Sequence, residues 1–268
     1  MIVTTEAIVL RTRKYRETSV IATLYTRAFG KISVIAKGAR DRKSKFGSSL
    51  QPMNHVRAVM YLKDTRELQL LSQCDIVESF SGLSDDLDRM TPALSAVELV
   101  DLTIHAEEEN QPLFRLLADV LRTANSATKN GILALYYFEA KLLDILGFRP
   151  ELGRCAGCGL PLDGTAEVRG KADFRMSPGG LFCQGCSSRG LGLERVSPAA
   201  VRVLQRLQAL TDPEAATRIA LSKGVRGEVA AALRKYLETH VEGLQRRKAD
   251  AVFAALSEMT RLREERSR

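Results

Sequence analysis

The chain has 268 residues, enough for two or three domains with cores of their own. Lysine and arginine number 40 against 32 aspartate and glutamate, a formal charge of +8 that leans towards an acidic partner such as nucleic acid or an anionic membrane surface. Residues 1–6 carry no basic stretch ahead of an apolar core, and no apolar run is long enough for a membrane helix, so secreted and membrane-spanning classes are set aside and a reducing cytoplasm is expected.

Residues 1–80 read as strands. Ile8 and Leu10 alternate with Val9, and a polar turn is expected at 13–17. Val20, Ala22 and Leu24 alternate with Ile21, Thr23 and Tyr25; Phe29-Gly30-Lys31 turns the chain into Ile32–Ala36. Val56, Ala58, Met60 and Leu62 share one face, Asp64-Thr65-Arg66 makes a hairpin, and Leu68, Leu70, Ser72 and Cys74 share another face. Five short strands with period-two patterning predict a small closed barrel, of the OB or the SH3-like kind. Cys74 reads as a small buried apolar residue.

From residue 81 the period becomes helical. Thr91-Pro92 reads as an N-cap followed by proline at the first helical position. A second helix opens near Pro112, with Leu113, Leu116, Leu117, Val120, Leu121 and Ala124 on one stripe. A third runs from Ile132 to Leu146, apolar nearly all round, and ends at Gly147. Ser197-Pro198 starts another helix bearing Val201, Leu204 and Leu207; Val229, Leu233, Tyr236, Leu237, His240, Val241 and Leu244 mark the next; Val252, Phe253, Leu256 and Met259 mark the last. Three helices before residue 151 and about three after 195 suggest one helical domain interrupted by an insertion.

That insertion carries the strongest motif. Cys155-Ala156-Gly157-Cys158 and Cys183-Gln184-Gly185-Cys186 are two C-x2-C turns separated by 24 residues. Four thiolates from two such knuckles make the soft tetrahedral set that Zn²⁺ prefers, with no open position for a reacting water. The expected role is structural: one Zn²⁺ per chain stands in for a core that a small module cannot build.

Basic residues crowd the N-terminal segment. The densest part, Lys37-Gly38-Ala39-Arg40-Asp41-Arg42-Lys43-Ser44-Lys45-Phe46, reads as a mobile basic loop able to neutralise several phosphates. Phe46 and Tyr15 are candidate stacking partners for unpaired bases, with core contacts as the competing reading. No catalytic constellation stands out. His55, His105 and His240 are scattered, and His240 reads as a satisfied core residue. Asp85-Asp86-Leu87-Asp88 reads as a helix N-terminal charge cluster, and Glu107-Glu108-Glu109 as a solvated helix end. Neither a Walker A loop nor a Rossmann glycine fingerprint occurs.

Several segments resemble a known family. Val9-Leu10-Arg11, Tyr15-Arg16-Glu17-Thr18-Ser19, Leu24-Tyr25-Thr26 and Gly30 are similar to the start of RecO, the bacterial recombination mediator family. Ala36–Arg40, Lys43–Phe46 and Leu50-Gln51-Pro52 carry the most specific part of the likeness. Gly147-Phe148-Arg149-Pro150 ahead of the first knuckle, and Ser177-Pro178 with Gly180 ahead of the second, extend it. The resemblance implies an α+β chain: an OB-fold barrel over 1–80, a helical domain over 81–150 and 196–268, and a four-cysteine zinc module over 151–195. It implies a DNA-binding protein without catalytic turnover, cytoplasmic and associated with the nucleoid. Family members bind single- and double-stranded DNA, anneal complementary strands and, with RecR and in some settings RecF, help load RecA onto DNA coated by single-stranded DNA-binding protein (SSB). On the match, DNA contact is expected at Lys37, Arg40, Lys43 and Lys45, then at Arg11, Arg13, Lys14 and Lys31. Arg115, Arg122, Lys129 and Lys141 are expected as cations for the SSB tail carboxylate. Should the loop cations carry no DNA, Arg246-Arg247-Lys248, or Lys171 and Arg175, are the next candidates.

Three rival readings remain. An adaptor would use the basic loop to dock an acidic protein. A metal-dependent nuclease would be built around Asp86. A zinc transcription factor is disfavoured by the long gap between knuckles, which holds no recognition helix.

Overall fold

The computed structural model describes residues 1–63, 65–105, 109–162, 172–177, 179–187 and 193–244. The described residues divide into two compact units, one up to residue 126 and one from 127 to 244.

In the first unit, β1 (Ile2–Tyr15), β2 (Ser19–Thr26), β3 (Gly30–Ala36), β4 (His55–Tyr61) and β5 (Leu68–Glu78) close into a barrel in the order β1-β2-β3-β5-β4. Neighbours are antiparallel except β3 and β5, whose parallel pairing closes the OB-type Greek key. Ala7, Val9, Ala22, Leu24, Ile32, Val34, Val56, Ala58 and Met60 fill the interior, as their period-two spacing requires.

Two strands depart from the expected pattern. β1 runs through Arg11–Lys14 to Tyr15, and the turn occupies only 16–18. The polar residues there pair with β2 in a two-stranded extension, so no apolar alternation announces them. In β5, Leu71 and Cys74 face the core rather than Leu68 and Leu70. A register shift opposite Val59/Met60 changes the phase of the strand, and one residue of slip exchanges its faces. Asp64 of the expected hairpin lies outside the described residues.

The barrel wall is also apolar outside, and helices cover it. After α1 (Ser81–Ser84), α2 (Leu87–Thr103) and α3 (Gln111–Ser126) belong to the same unit. Ile8 pairs with both Tyr25 and His55 across the sheet. Phe114 of α3 lies over that row, 6.2 Å from the Tyr25 ring and edge-on to His55 at 5.7 Å. The Tyr25 hydroxyl donates to the Asn110 carbonyl at 3.3 Å. The start of α2 differs from the expectation at Thr91-Pro92. Asp86 is the N-cap, accepting from the Asp88 N–H at 2.8 Å, and Pro92 sits inside the helix, where it removes one backbone donor. The acidic cluster at 85–88 is thus a helix N-terminus. Glu107 and Glu108 lie outside the described residues.

In the second unit, α4 (Ile132–Ile145) is buried nearly all round. It packs against α6 (Pro198–Ala209), α7 (Pro213–Thr217) and α8 (Lys223–His240). Ser197 caps α6 through its hydroxyl, accepting from the Ala200 N–H. The helices ahead of the cysteine module therefore divide. α2 and α3 join the barrel, with Phe114 seated on its wall, and α4 joins the helices that follow. The module holds a three-stranded antiparallel sheet, ordered β7 (Gly180–Phe182), β6 (Ala172–Arg175), β8 (Leu193–Val196), and the short α5 (Gln184–Ser187). His240 is satisfied as expected: its Nε2 lies 2.7 Å from the Met176 carbonyl, and its ring stacks on Phe148 at 5.0 Å. The helix expected around Val252–Met259 lies outside the described residues.

Candidate metal centre and nucleic-acid interface

The two knuckles of the second unit converge. The sulfurs of Cys155, Cys158, Cys183 and Cys186 all lie within 4.8 Å of one another, and Cys158 and Cys183 are 3.7 Å apart. A tetrahedron with metal–sulfur bonds of about 2.3 Å has edges of about 3.8 Å, so the set fits a single Zn²⁺-sized ion. None of the four is in a disulfide. The first knuckle closes through Gly159 N–H to Cys155 O at 2.8 Å, the second through Cys186 N–H to Cys183 O at 3.0 Å. Space is tight at Gly157: a Cβ there would meet Phe182 at 3.0 Å and the Cys186 sulfur at 3.3 Å.

The sulfurs are electrostatically unequal. Burial raises the Cys155 thiol, but N–H groups of Cys183, Cys158 and Gly157 outweigh it and bring its pKa down to about 6. Cys186 shares its proton with Cys158 and Cys183 and is pushed up to about 12. Thiolates this close together repel one another, and a central cation is what would hold them.

The basic segment lies in the first unit, at the end of the barrel where the β1–β2 turn and the β3–β4 connection meet. Arg40 joins them. Its backbone N–H donates to Thr18 O at 2.9 Å and its guanidinium to Glu17 O at 2.8 Å. Exposed Lys14 and Arg16 are thereby gathered with exposed Lys37, Arg40, Arg42, Lys43 and Lys45. Residues 11–17 and 37–45 hold nine cations against Glu17 and Asp41, so the net charge here is strongly positive.

The loop itself is a chain of turns closed by Asp41 N–H to Gly38 O and Ser44 N–H to Asp41 O. Phe46 is 3% exposed and inserts into the barrel core beside Leu50, which removes it as a stacking partner. An apolar side chain among basic residues anchors the loop; the surrounding charge obscures that in sequence. Tyr15 is half-buried beneath the Arg16 guanidinium.

Arg11 and Arg13 project from the same face of β1 into a small polar hollow with Thr23 and Ser33. Arg11 is paired there with Asp101 of α2, at 2.8 Å. Lys31 donates to the Asp101 carbonyl at 2.7 Å and meets its carboxylate at 3.4 Å. Asp101 escaped the sequence reading, because nothing in an acidic helix residue announces a distant strand as its partner. Arg16 gains its place beside Arg40 only from the turn.

The four cations expected for a protein tail lie in different settings. Arg122 is tied to Glu78 at 2.7 Å and Asp119 at 2.8 Å, while Arg115 reaches Gln111 at 3.4 Å. Lys129 is exposed; Lys141 donates to Gln208 O, and burial lowers its pKa. Arg175, a reserve candidate for DNA, is 8% exposed and bonded to the second knuckle. Lys171 and Arg246–Lys248 lie outside the described residues.

Family models match nearly the whole chain: "Recombination protein O N terminal" over residues 1–80 and "Recombination protein O C terminal" over 84–250. Curated relatives that the chain matches carry the name DNA repair protein RecO, three of them as follows. The one from Symbiobacterium thermophilum is 35% identical over 88% of this chain and 91% of its own length. Those from Chlorobium limicola and Chlorobaculum parvum are 32% and 36% identical, covering 96% and 92% of this chain and 99% and 96% of theirs.

Proposed function

The chain belongs to the recombination protein O family, and from that premise we propose that it serves DNA repair and recombination as a binding protein rather than as an enzyme. It binds single- and double-stranded DNA through phosphates, anneals complementary strands and, with RecR, helps load RecA onto SSB-coated DNA. The observation that carries this reading is the joining of two basic turns through Arg40, which concentrates cations at one end of an OB-type barrel. Such a surface binds the backbone without reading sequence, and it lowers the mutual repulsion of two strands brought together.

Residues 1–80 form the DNA-binding part in this reading, with Lys37, Arg40, Lys43 and Lys45 foremost. The helices of 81–150 and 196–268 face protein partners, with Arg115 and Lys129 holding the less encumbered cations of the four considered. The module at 151–195 holds one structural Zn²⁺ in its four sulfurs. No described helix is long and apolar enough to cross a membrane, and the site of action proposed is the nucleoid.

Annealing tests the proposal. Two complementary labelled oligonucleotides, each pre-coated with SSB, should anneal faster in the presence of the protein. An acidic protein that binds the loop while DNA does not would support the adaptor reading instead.

A further inference from the structure

We propose that Arg175 is a positioning residue for the four-sulfur centre, fixing the second knuckle against the first and supplying the positive charge that a tetrathiolate metal site calls for. The inference rests on the metal reading of the four cysteines.

Arg175 ends β6, paired with Gly180 of β7, and is 8% exposed. One guanidinium nitrogen donates to two carbonyls of the second knuckle, Cys186 O at 3.0 Å and Ser187 O at 2.8 Å. The guanidinium lies over the Phe182 ring, with Cζ 4.3 Å from the centroid. Phe182 immediately precedes Cys183, and its edge closes on Gly157 so tightly that a Cβ there would stand 3.0 Å away. A circuit results: the first knuckle packs on Phe182, Phe182 on Arg175, and Arg175 on the second knuckle. Lysine cannot reproduce it, because an ammonium has no planar face to stack on the ring while reaching two carbonyls.

The charge argument is independent of that packing. Burying a guanidinium is costly unless an anion compensates. Among the described residues no carboxylate pairs with Arg175, and its buried Nε has no acceptor. Zn²⁺ with four thiolates carries a net charge of −2, and the Arg175 guanidinium is bonded to the backbone of one of its ligands. The centre, with Cys155 buried, Cys183 and Cys186 half-buried and Cys158 exposed, would supply the anion that compensates the buried guanidinium.

The test compares Arg175→Met, which keeps the apolar stem, with Arg175→Lys, which keeps the charge. Full-length protein is loaded with Zn²⁺ for transfer to a chromophoric chelator, and with Co²⁺ for its thiolate and ligand-field absorption bands. Arg175→Met should release zinc about tenfold to a hundredfold faster than wild type, with displaced cobalt bands, and Arg175→Lys should fall between. A role confined to the fold would shift melting without moving the cobalt spectrum. Wild-type release and an unchanged spectrum in Arg175→Met would overturn the proposal; if that variant does not fold, Arg175→Lys decides on the same readouts. A wild-type chain that takes up neither metal defeats the metal reading first, and the proposal with it.

Discussion

Arg11 on β1 and Asp101 on α2 meet at 2.8 Å, and the same aspartate holds Lys31 of β3 through both its carboxylate and its carbonyl. A helix carboxylate thus sits where a phosphate would be welcome, beside a hollow lined by Arg11, Arg13, Thr23 and Ser33. Asp101→Asn should free charge on the barrel wall. DNA affinity at low salt should rise severalfold, and the dependence of log Kd on log salt should steepen by about one phosphate contact. Fluorescence anisotropy over a salt series measures both, with a melting curve to register any loosening of α2. Unchanged affinity would place Arg11 and Lys31 outside the DNA path.

The loop cations should act differently. Lys37, Lys43 and Lys45 are exposed, Lys45 lying over the Phe46 ring, and among the described residues no hydrogen bond or salt bridge to another side chain holds them. Replacing all three by Ala should leave the melting temperature within about a degree or two of wild type, since exposed charges contribute little to stability. The salt slope should fall by about two to three. Arg40→Ala should weaken DNA binding and also loosen the junction of the two turns, because it removes the bond to Glu17 O.

Phe46 separates anchoring from stacking. Its ring is 3% exposed within the barrel core. Phe46→Ala should cost about 3–5 kcal/mol of stability in denaturant unfolding. Phe46→Leu should recover most of that and bind single-stranded DNA like wild type. Weak binding by a stable Phe46→Leu would show that the ring meets bases after all.

His55 gives the first unit a pH dependence. Burial, helped by the Arg122 charge, lowers its pKa from the ordinary value near 6.5, against the opposing pull of Glu6, 3.5 Å from Nε2, and Glu78, 3.9 Å from Nδ1. The folded state therefore binds fewer protons on this group than the unfolded state does. Its stabilising contribution is complete above pH 6.5 and is lost as pH falls towards the folded pKa. Wild type should lose more melting temperature between about pH 7.5 and 5.5 than His55→Leu does, whatever their absolute values.

Cys158→Ser removes one ligand from the four-sulfur centre. Bound zinc should fall below one per chain and solubility should drop, because the module has only a small sheet of its own to hold it together. Metal content by emission spectroscopy, with a melting curve, checks this; a zinc-free variant with a normal melt would contradict it.

Much of the architecture was legible in the residues themselves. Alternation in Val56, Ala58 and Met60, the stripe on α3 and the Ser197-Pro198 cap each carry a local rule from sequence to structure. The C-x2-C spacing did so for the four sulfurs, since their convergence depends on short turns. What escaped depends on contacts distant in sequence. Pro92 failed as a helix start because Asp86 caps better, and the phase change in β5 comes from a bulge without a sequence mark. Phe46 looked available because its neighbours are charged, yet the barrel interior claims it. Asp101 and Arg175 acquire their roles from partners on other elements, which periodicity cannot show.

The most direct test of the central claim is anisotropy of a labelled single-stranded oligonucleotide, titrated with the full-length protein at several salt concentrations. Binding at low salt should be indifferent to base sequence and weaken steeply as salt rises, with a slope that falls when Lys37, Lys43 and Lys45 are replaced. Absence of binding at low salt, or binding with a flat salt response, would contradict that claim.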